Sequence, residues 1–301
     1  MNIGFIGLGV MGRPMALHLC KAGYGVRVYA RRAGAADPLL AAGATLCATP
    51  ADVASASDVV VTMVTATADV EEVLLGDHGV LTGARQGVVV IDMSTIAPQA
   101  TRRIAAVLQQ RQVRMLDAPV TGGPAGAEAA TLTIMVGGDA AVLDEVRPIL
   151  DRLGRQIVHM GGHGSGQVAK ACNQLALLVN AEGVAEALAL GQRHGLDPST
   201  LRQALLGGIA ASRVLEVFGA RMAERQFEPG MATRLYDKDL NIVLELAREV
   251  GQTLPAAGVV RKHLDEMIAR GEGSRDLAAL IQTVERLWNQ ELGQKRVHGT
   301  R

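Results

Sequence analysis

The sequence predicts a doubly wound α/β domain followed by an all-helical one. Three observations point there. Short Val- and Ile-rich runs alternate with helical patterns as far as residue 163. Those runs are continuous rather than strictly alternating, as parallel strands covered on both faces require. Beyond Gly166 the strand signals stop, and helical periodicity holds to Leu287. The expected division is 1–163 for the α/β domain, 164–290 for the helical domain and 291–301 for a loose polar tail.

In order, "NIGFIG" (Asn2 to Gly7) reads as a buried strand, and "MGRPMALHLCKAG" as a helix. Pro14 is tolerated in that helix's first turn and Gly23 stops it. "GVRVYA" is the second strand, Pro50 to Ser57 a short helix, and "DVVVTMV" (Asp58 to Val64) a third or fourth strand. "ADVEEVLLG" is helical, "GVVVIDMS" (Gly87 to Ser94) a strand, Pro98 to Gln110 a helix and "VRMLDAPV" a strand. "TLTIMVGGD" and "QIVHMGG" add strands around a helix over Ala140 to Arg152. Repeated βα units imply the doubly wound arrangement. Helices follow at Gln167 to His194, Asp197 to Leu206, Ala211 to Arg225, Leu235 to Val250, Ala256 to Arg270 and Ser274 to Trp288. Asp197 and Pro198 read as a capped helix start.

Composition narrows the function classes. The 301 residues are 49% hydrophobic with a formal net charge of zero, which supplies a large core and no electrostatic reason for nucleic acid or an anionic membrane as partner. Aromatics at 2% argue against a base-stacking platform. Cys20, Cys47 and Cys172 are far apart and show no metal spacing, so buried thiols in a reducing cytoplasm are expected. The N-terminus lacks the basic region of a signal peptide. The apolar run Ala169 to Leu190 is interrupted by Lys170, Asn173, Gln174, Asn180, Glu182 and Glu186, so it reads as a buried helix rather than a membrane span. His18 is placed on the surface of the first helix. His159 and His163 show no zinc spacing, so no metal site is expected.

Gly7, Gly9 and Gly12 form a G-x-G-x-x-G. Alone it is equally an ordinary tight turn. After a strand and before a helix it points to a dinucleotide: Gly7 permits the turn, Gly9 admits the pyrophosphate and Gly12 packs helix on strand. The amino end of the helix, with Val10 and Met11, supplies amide donors. An NAD site carries an acid about 20 residues further on. Here Ala30, Arg31 and Arg32 stand there instead. Two guanidiniums suit a 2′-phosphate, which makes NADP the first choice and NAD the second. A solvated basic turn is the plain alternative.

"DMSTIAP" (Asp92 to Pro98) ends a strand at the edge where ligands sit in such sheets. Thr121, Gly122 and Gly123 offer a hydroxyl and consecutive amides to a carboxylate, though by themselves they read as a glycine-rich turn. Lys170 and Asn173 share a helix face. Lys170 either snorkels to the surface or sits in a cleft between domains as a proton donor, its charge stabilising an alkoxide.

"GFIGLGVMGRPMA", "DMSTIAP", "DAPVTGG" and "GSGQVAKACNQ", in this order and spacing, resemble the β-hydroxyacid dehydrogenases. The resemblance covers the chain to about Trp288. It implies an N-terminal Rossmann-like domain, a long interdomain helix and a helical domain that builds a homodimer or homotetramer. It implies Lys170 as the catalytic lysine, with Asn173 binding substrate beside it and Thr121, Gly122 and Gly123 taking the substrate carboxylate. It places Thr95 at the nicotinamide, Lys238 of "YDKDL" near the cofactor, and a backbone contact at Val64 and Thr65. Two positions depart from the family. Met-Leu-Pro is replaced by Met63-Val64-Thr65, which is expected to shift that contact, and the usual serine is Thr121, whose methyl group either tightens the pocket or favours a smaller substrate. "GGIAASRVLE", "FEPGMATRLYDKDL" and "DMSTIAP" resemble the members of the family that reduce tartronate semialdehyde more than the 3-hydroxyisobutyrate dehydrogenases, and that resemblance implies reduction of tartronate semialdehyde to glycerate. The alternatives are a 3-hydroxyisobutyrate-type or other small-semialdehyde activity, and, from another class, a cofactor-binding scaffold without catalysis.

Overall fold

The computed structural model describes residues 1–32, 34–228 and 230–298, with side chains up to Asn289. The chain divides into two compact units, Met1–Lys170 and the residues from Ala171 onward.

In the first unit the elements run β1 (Asn2–Ile6), α1 (Gly12–Lys21), β2 (Gly25–Tyr29), α2 (Asp37–Ala41), β3 (Thr45–Leu46), α3 (Pro50–Ser55), β4 (Val59–Thr62), α4 (Thr67–Leu75) and α5 (Val80–Gly83). They continue with β5 (Val89–Asp92), α6 (Pro98–Gln110), β6 (Arg114–Asp117), β7 (Val120–Thr121), α7 (Gly123–Glu128), β8 (Leu132–Gly138), α8 (Ala140–Leu150) and β9 (Gly154–Gly161). Among the described residues these strands form one sheet in the order β3-β2-β1-β4-β5-β6-β8-β7, with β9 also paired to β8. The strands from β3 to β6 are parallel.

The continuous apolar runs have a direct explanation. Ile3, Phe5, Val59, Val61, Val89 and Ile91 enter one core, while Ile6, Val60 and Val90 enter another. Successive residues of a strand point to opposite faces, so burying both faces requires an apolar residue at every position. Each such side chain contributes about 1.5–3 kcal/mol on burial.

Three expectations change. The segment "VRMLDAPV" is not one strand: β6 stops at Asp117, and β7 begins beyond Pro119, which has no N–H to give a ladder. The sheet is therefore mixed, since β8 runs antiparallel to both β6 and β7. The two-residue β3 is too short to leave a periodic signal. His18 is half-buried and faces the carbonyls of Ala127 (3.2 Å) and Glu128 (2.9 Å) at the end of α7, a long-range contact that helix periodicity cannot show.

The second unit is helical. The helix α9 (Ser165–Arg193) begins in the first unit and continues into it, followed by α10 (Pro198–Leu206), α11 (Arg213–Ala223), α12 (Thr233–Glu249), α13 (Pro255–Ala269) and α14 (Leu280–His298). By length and composition α9 is long and apolar enough to cross a membrane. Its Leu178, Ala181, Val184, Ala185 and Leu188 belong to the buried core of this unit. Asp197 caps α10 through the Thr200 amide (2.7 Å), and Ser212 caps α11 through the Leu215 amide (3.0 Å). The helix expected over Ser274 to Trp288 instead starts at Leu280, after 3-10 turns at Glu272–Ser274 and Leu277–Ala279. Asp276 divides them by accepting the Ala278 amide (3.0 Å). The predicted tail falls partly within α14, and residues 299–301 lie outside the described residues. None of the three thiols is fully buried, against expectation: Cys172 is exposed and Cys20 and Cys47 are intermediate.

Candidate active site

A groove opens at the carboxyl ends of β1, β2 and β4. Gly7, Gly9, Arg31, Arg32, Val64, Thr65 and Asp69 are among its walls. In the strand order, β1 lies between β2 and β4, from which the chain winds in opposite directions. That is the switch point at which open α/β sheets bind ligands.

The three glycines separate into two roles. Gly7 has φ of 104°, and a Cβ there would meet the Met63 carbonyl. A Cβ on Gly12 would be driven into the carbonyl oxygen of Gly7. Both are therefore required by the fold itself. Gly9 has nothing within 4 Å of where a Cβ would stand. Its missing side chain leaves room for something other than this chain. At the start of α1, Met11 makes no side-chain capping bond, so the first-turn amides receive no acceptor from it. An open cradle beside a helix amino terminus fits the pyrophosphate of a dinucleotide. Of the other predicted cofactor residues, Val10 is 61% exposed, and Met11 and Thr95 are half-buried.

Arg31 and Arg32 are exposed at the groove, but Arg31 has a counter-charge: Asp69 stands 3.7 Å away. Asp69 also holds the start of α4 by accepting the Ala66 amide (3.1 Å). Nothing local marks this acid, because it reaches the basic turn only through the fold.

Further along the sheet edge, buried polar groups link the ends of β5 and β6 to α9. Asp92 and Asp117 are register partners. One Asp92 oxygen accepts from the Thr62 hydroxyl (2.8 Å) and the Ser94 amide (3.2 Å); the other has no partner among the described residues. Burial pushes the Asp92 carboxyl up to about 6. Asp117 accepts the amides of Gly164 (2.8 Å) and Gln167 (3.1 Å), and its carboxyl is also raised by burial despite those bonds. The Gln167 side chain donates to the Ser94 carbonyl (2.8 Å) and accepts from the Ile96 amide (3.1 Å). Ser94 Oγ in turn accepts the Val64 amide (2.9 Å) at the groove wall. Lys170, only 8% exposed, follows Gln167 by three residues on α9. A lysine this buried is not the snorkelling surface cation that composition alone allowed. Sequence reasoning passed over Gln167, Asp92 and Asp117 as site residues. The quoted motifs contain them, but their links are long-range.

Thr121 lies opposite Thr133 in the β7–β8 pair. Gly122 and Gly123 follow with φ of 131° and 62°. A side chain at Gly123 would enter open space, as at Gly9. In the second unit, Asn173 donates to Gln174 (2.8 Å), and Gln174 donates to Asp239 (2.6 Å). The other Asp239 oxygen faces Lys238 at 2.8 Å. Asn173 and Lys238, both predicted, thus belong to one network through Gln174 and Asp239, which were not. Among the described residues no group of His, Cys, Asp and Glu is placed to hold a metal ion.

Residues 2–162 match the sequence profile of the NAD-binding domain of 6-phosphogluconate dehydrogenase, and residues 164–284 that of the NAD-binding region of NADP-dependent 3-hydroxyisobutyrate dehydrogenase. The chain is 42% identical over 292 residues to 2-hydroxy-3-oxopropionate reductase of Escherichia coli strain K12, covering 97% of this chain and 100% of the relative. It is 39% identical over 300 residues to an NAD-dependent L-serine dehydrogenase of Pseudomonas aeruginosa, covering 97% and 99%. A solved structure of Mycobacterium tuberculosis 3-hydroxyisobutyrate dehydrogenase with L-serine superposes with a TM-score of 0.85 at 32% identity, over 94% of this chain and 98% of that one. With the Rossmann-like sheet, the glycine cradle and a lysine at the start of α9, the chain belongs to the β-hydroxyacid dehydrogenase family and is an NAD(P)-dependent oxidoreductase of that family.

Proposed function

We propose that the protein reduces tartronate semialdehyde to glycerate with NADPH. The observation that carries this reading is Lys170. It is a buried lysine one turn beyond Gln167, a buried glutamine whose side chain bonds the segment after β5 and whose main-chain N–H bonds the buried Asp117 at the end of β6. Similarity to the Escherichia coli reductase over the whole chain supports the choice of substrate.

Gly7, Gly9 and the amides at the start of α1 would hold the pyrophosphate, and Arg31 and Arg32 a 2′-phosphate. When bound, the nicotinamide supplies a hydride to the aldehyde carbon. Lys170 Nζ donates a proton to the aldehyde oxygen as negative charge develops there, and its ammonium lowers the cost of that charge. One hydride and one proton convert the aldehyde to a primary alcohol. The Thr121 hydroxyl and the amides of Gly122 and Gly123 hold the substrate carboxylate, which fixes the aldehyde relative to Lys170. Asn173, on the same face of α9, holds the substrate beside the lysine.

The test is a panel of tartronate, methylmalonate and succinic semialdehydes with NADPH and NADH, run alongside oxidation of glycerate, 3-hydroxyisobutyrate and L-serine. Methylmalonate semialdehyde carries a methyl group where tartronate semialdehyde carries a hydroxyl, and succinic semialdehyde lacks the hydroxyl and is one carbon longer, so kcat/KM for tartronate semialdehyde should exceed both by about tenfold or more. A higher kcat/KM for L-serine or 3-hydroxyisobutyrate would transfer the substrate to the reading that the Pseudomonas and Mycobacterium relatives favour. A preference for NADH would overturn the cofactor assignment.

A further inference from the structure

The geometry points to Gln167 as a positioning residue that holds the Thr95 segment at a fixed distance from Lys170. The inference rests on the proposed reductase chemistry. Gln167 is 1% exposed. Its amide group straddles Thr95: the nitrogen donates to the carbonyl of Ser94, and the oxygen accepts the N–H of Ile96. A side-chain amide thus completes the backbone bonding on both sides of one residue, as a neighbouring strand would. Its own main-chain N–H is bonded to Asp117 at the end of β6. The next turn of the same helix carries Lys170.

The consequence is mechanical. Thr95, expected at the nicotinamide, and Lys170, expected at the carbonyl oxygen, are tied through one rigid amide and one helical turn. The hydride and the proton must reach the two ends of the same C=O bond, and a misplacement of about 1 Å costs roughly 100-fold in rate. Ordinary core packing does not need a glutamine here, since an apolar residue of similar size would fill the volume. What it would lose is the pair of bonds to residues 94 and 96.

Two variants separate these roles. Gln167→Leu removes both bonds. Gln167→Glu keeps the acceptor for Ile96 and loses the donor to Ser94. Rate, cofactor affinity by titration calorimetry, melting temperature and hydrogen exchange at the Ile96 amide are measured on each. For Gln167→Leu we expect kcat to fall about 30–100-fold, with a larger deuterium isotope effect from 4-deuterated NADPH, cofactor Kd within about threefold and faster exchange at Ile96. Gln167→Glu should lie between Gln167→Leu and wild type in both rate and exchange. Should Gln167→Leu fail to fold, Gln167→Glu decides alone by the same pair of readings. A kcat within twofold of wild type overturns the proposal. So does a loss of activity that tracks melting temperature or cofactor affinity, or faster exchange at Ile96 with undiminished kcat. Failure of the underlying reading is visible separately, because the wild type would then reduce no semialdehyde.

Discussion

The two units bury polar groups in different ways. In the first, Thr62, Asp92, Ser94, Asp117, Gln167 and Lys170 are all buried, and those from the sheet lie at or just beyond the carboxyl ends of β4, β5 and β6. Most of their partners are main-chain amides and carbonyls released where a strand ends or a helix begins. In the second, buried polar groups pair side chain to side chain across helices at Gln174 with Asp239 and Glu182 with His263, while Asp276, between two 3-10 turns, joins the Arg221 side chain to two main-chain amides. The ends of a parallel sheet provide unsatisfied backbone groups that can be turned toward a ligand. A helix satisfies its own backbone along its length, so between helices the side chains make the specific contacts, and main-chain groups join in only at turns such as those around Asp276. The first arrangement suits a site, the second holds a fold together.

That contrast can be broken most severely in the second unit. Asp276 is 2% exposed and takes bonds from Arg221 (2.6 Å), the Gly230 amide (3.2 Å) and the Ala278 amide (3.0 Å). Breaking a buried ion pair costs about 3–5 kcal/mol. Asp276→Ala should therefore lower stability to chemical denaturation by roughly the lower end of that range, since Arg221 is partly exposed, and leave cofactor affinity unchanged. Weaker cofactor binding with unaltered stability would reverse the assignment of roles.

Within the first unit the glycine turn contains the same contrast in miniature. Gly12→Ala should cost about 2–3 kcal/mol of stability through overpacking, because the added carbon meets backbone. Gly9→Ala should melt as the wild type does, because the added carbon meets nothing of this chain, yet it should weaken dinucleotide binding by about tenfold, 1.4 kcal/mol. Equal losses of stability at both positions would contradict the cradle.

The buried carboxylate Asp92 makes a pH-dependent case. Its carboxyl is raised to about 6 in the folded chain, above the ordinary 3.8, so the native state holds the proton more tightly than the unfolded state does. The stability this contributes is fully present below the unfolded value and is lost as pH rises through about 6. Unfolding titrations of wild type and Asp92→Asn should therefore diverge across that window, the wild type losing more stability as pH rises. Parallel curves would remove Asp92 from the pH response. The smallest effect is expected at the groove rim, where exposed pairs contribute about 0–1 kcal/mol. Asp69→Asn frees Arg31 from its counter-charge and removes a negative group near the place proposed for a 2′-phosphate. It should raise the NADP+ to NAD+ affinity ratio a few-fold, about 0.5–1 kcal/mol, by calorimetry. An unchanged ratio would show that Arg31 does not face that phosphate.

The same contrast decides what was legible in the sequence. Runs such as "VVVT" and the glycines at 7, 9 and 12 declare themselves because the constraint is local: a strand buried on both faces, a turn, a helix start. The break at Pro119 was visible in the residue but masked by the apolar run around it. Gln167 could not be singled out, since its side-chain partners lie 71 and 73 residues away and only the mixed sheet, through the β6–β8 and β8–β9 pairings, brings them together. Asp69 was hidden for the same reason, as was the bond from Gln174 to Asp239, 65 residues on. The motifs mark the residues proposed to act, and tertiary pairing determines which residues hold them.

The central claim is tested most directly by following deuterium from 4-deuterated NADPH into product with tartronate semialdehyde, for wild type and Lys170→Met. The account predicts glycerate carrying one deuterium at C3 from the wild type. For the variant it predicts a kcat lower by about 10²–10⁴-fold, with cofactor affinity and melting temperature unchanged. Undiminished turnover by Lys170→Met, or no deuterated glycerate from the wild type, would contradict it.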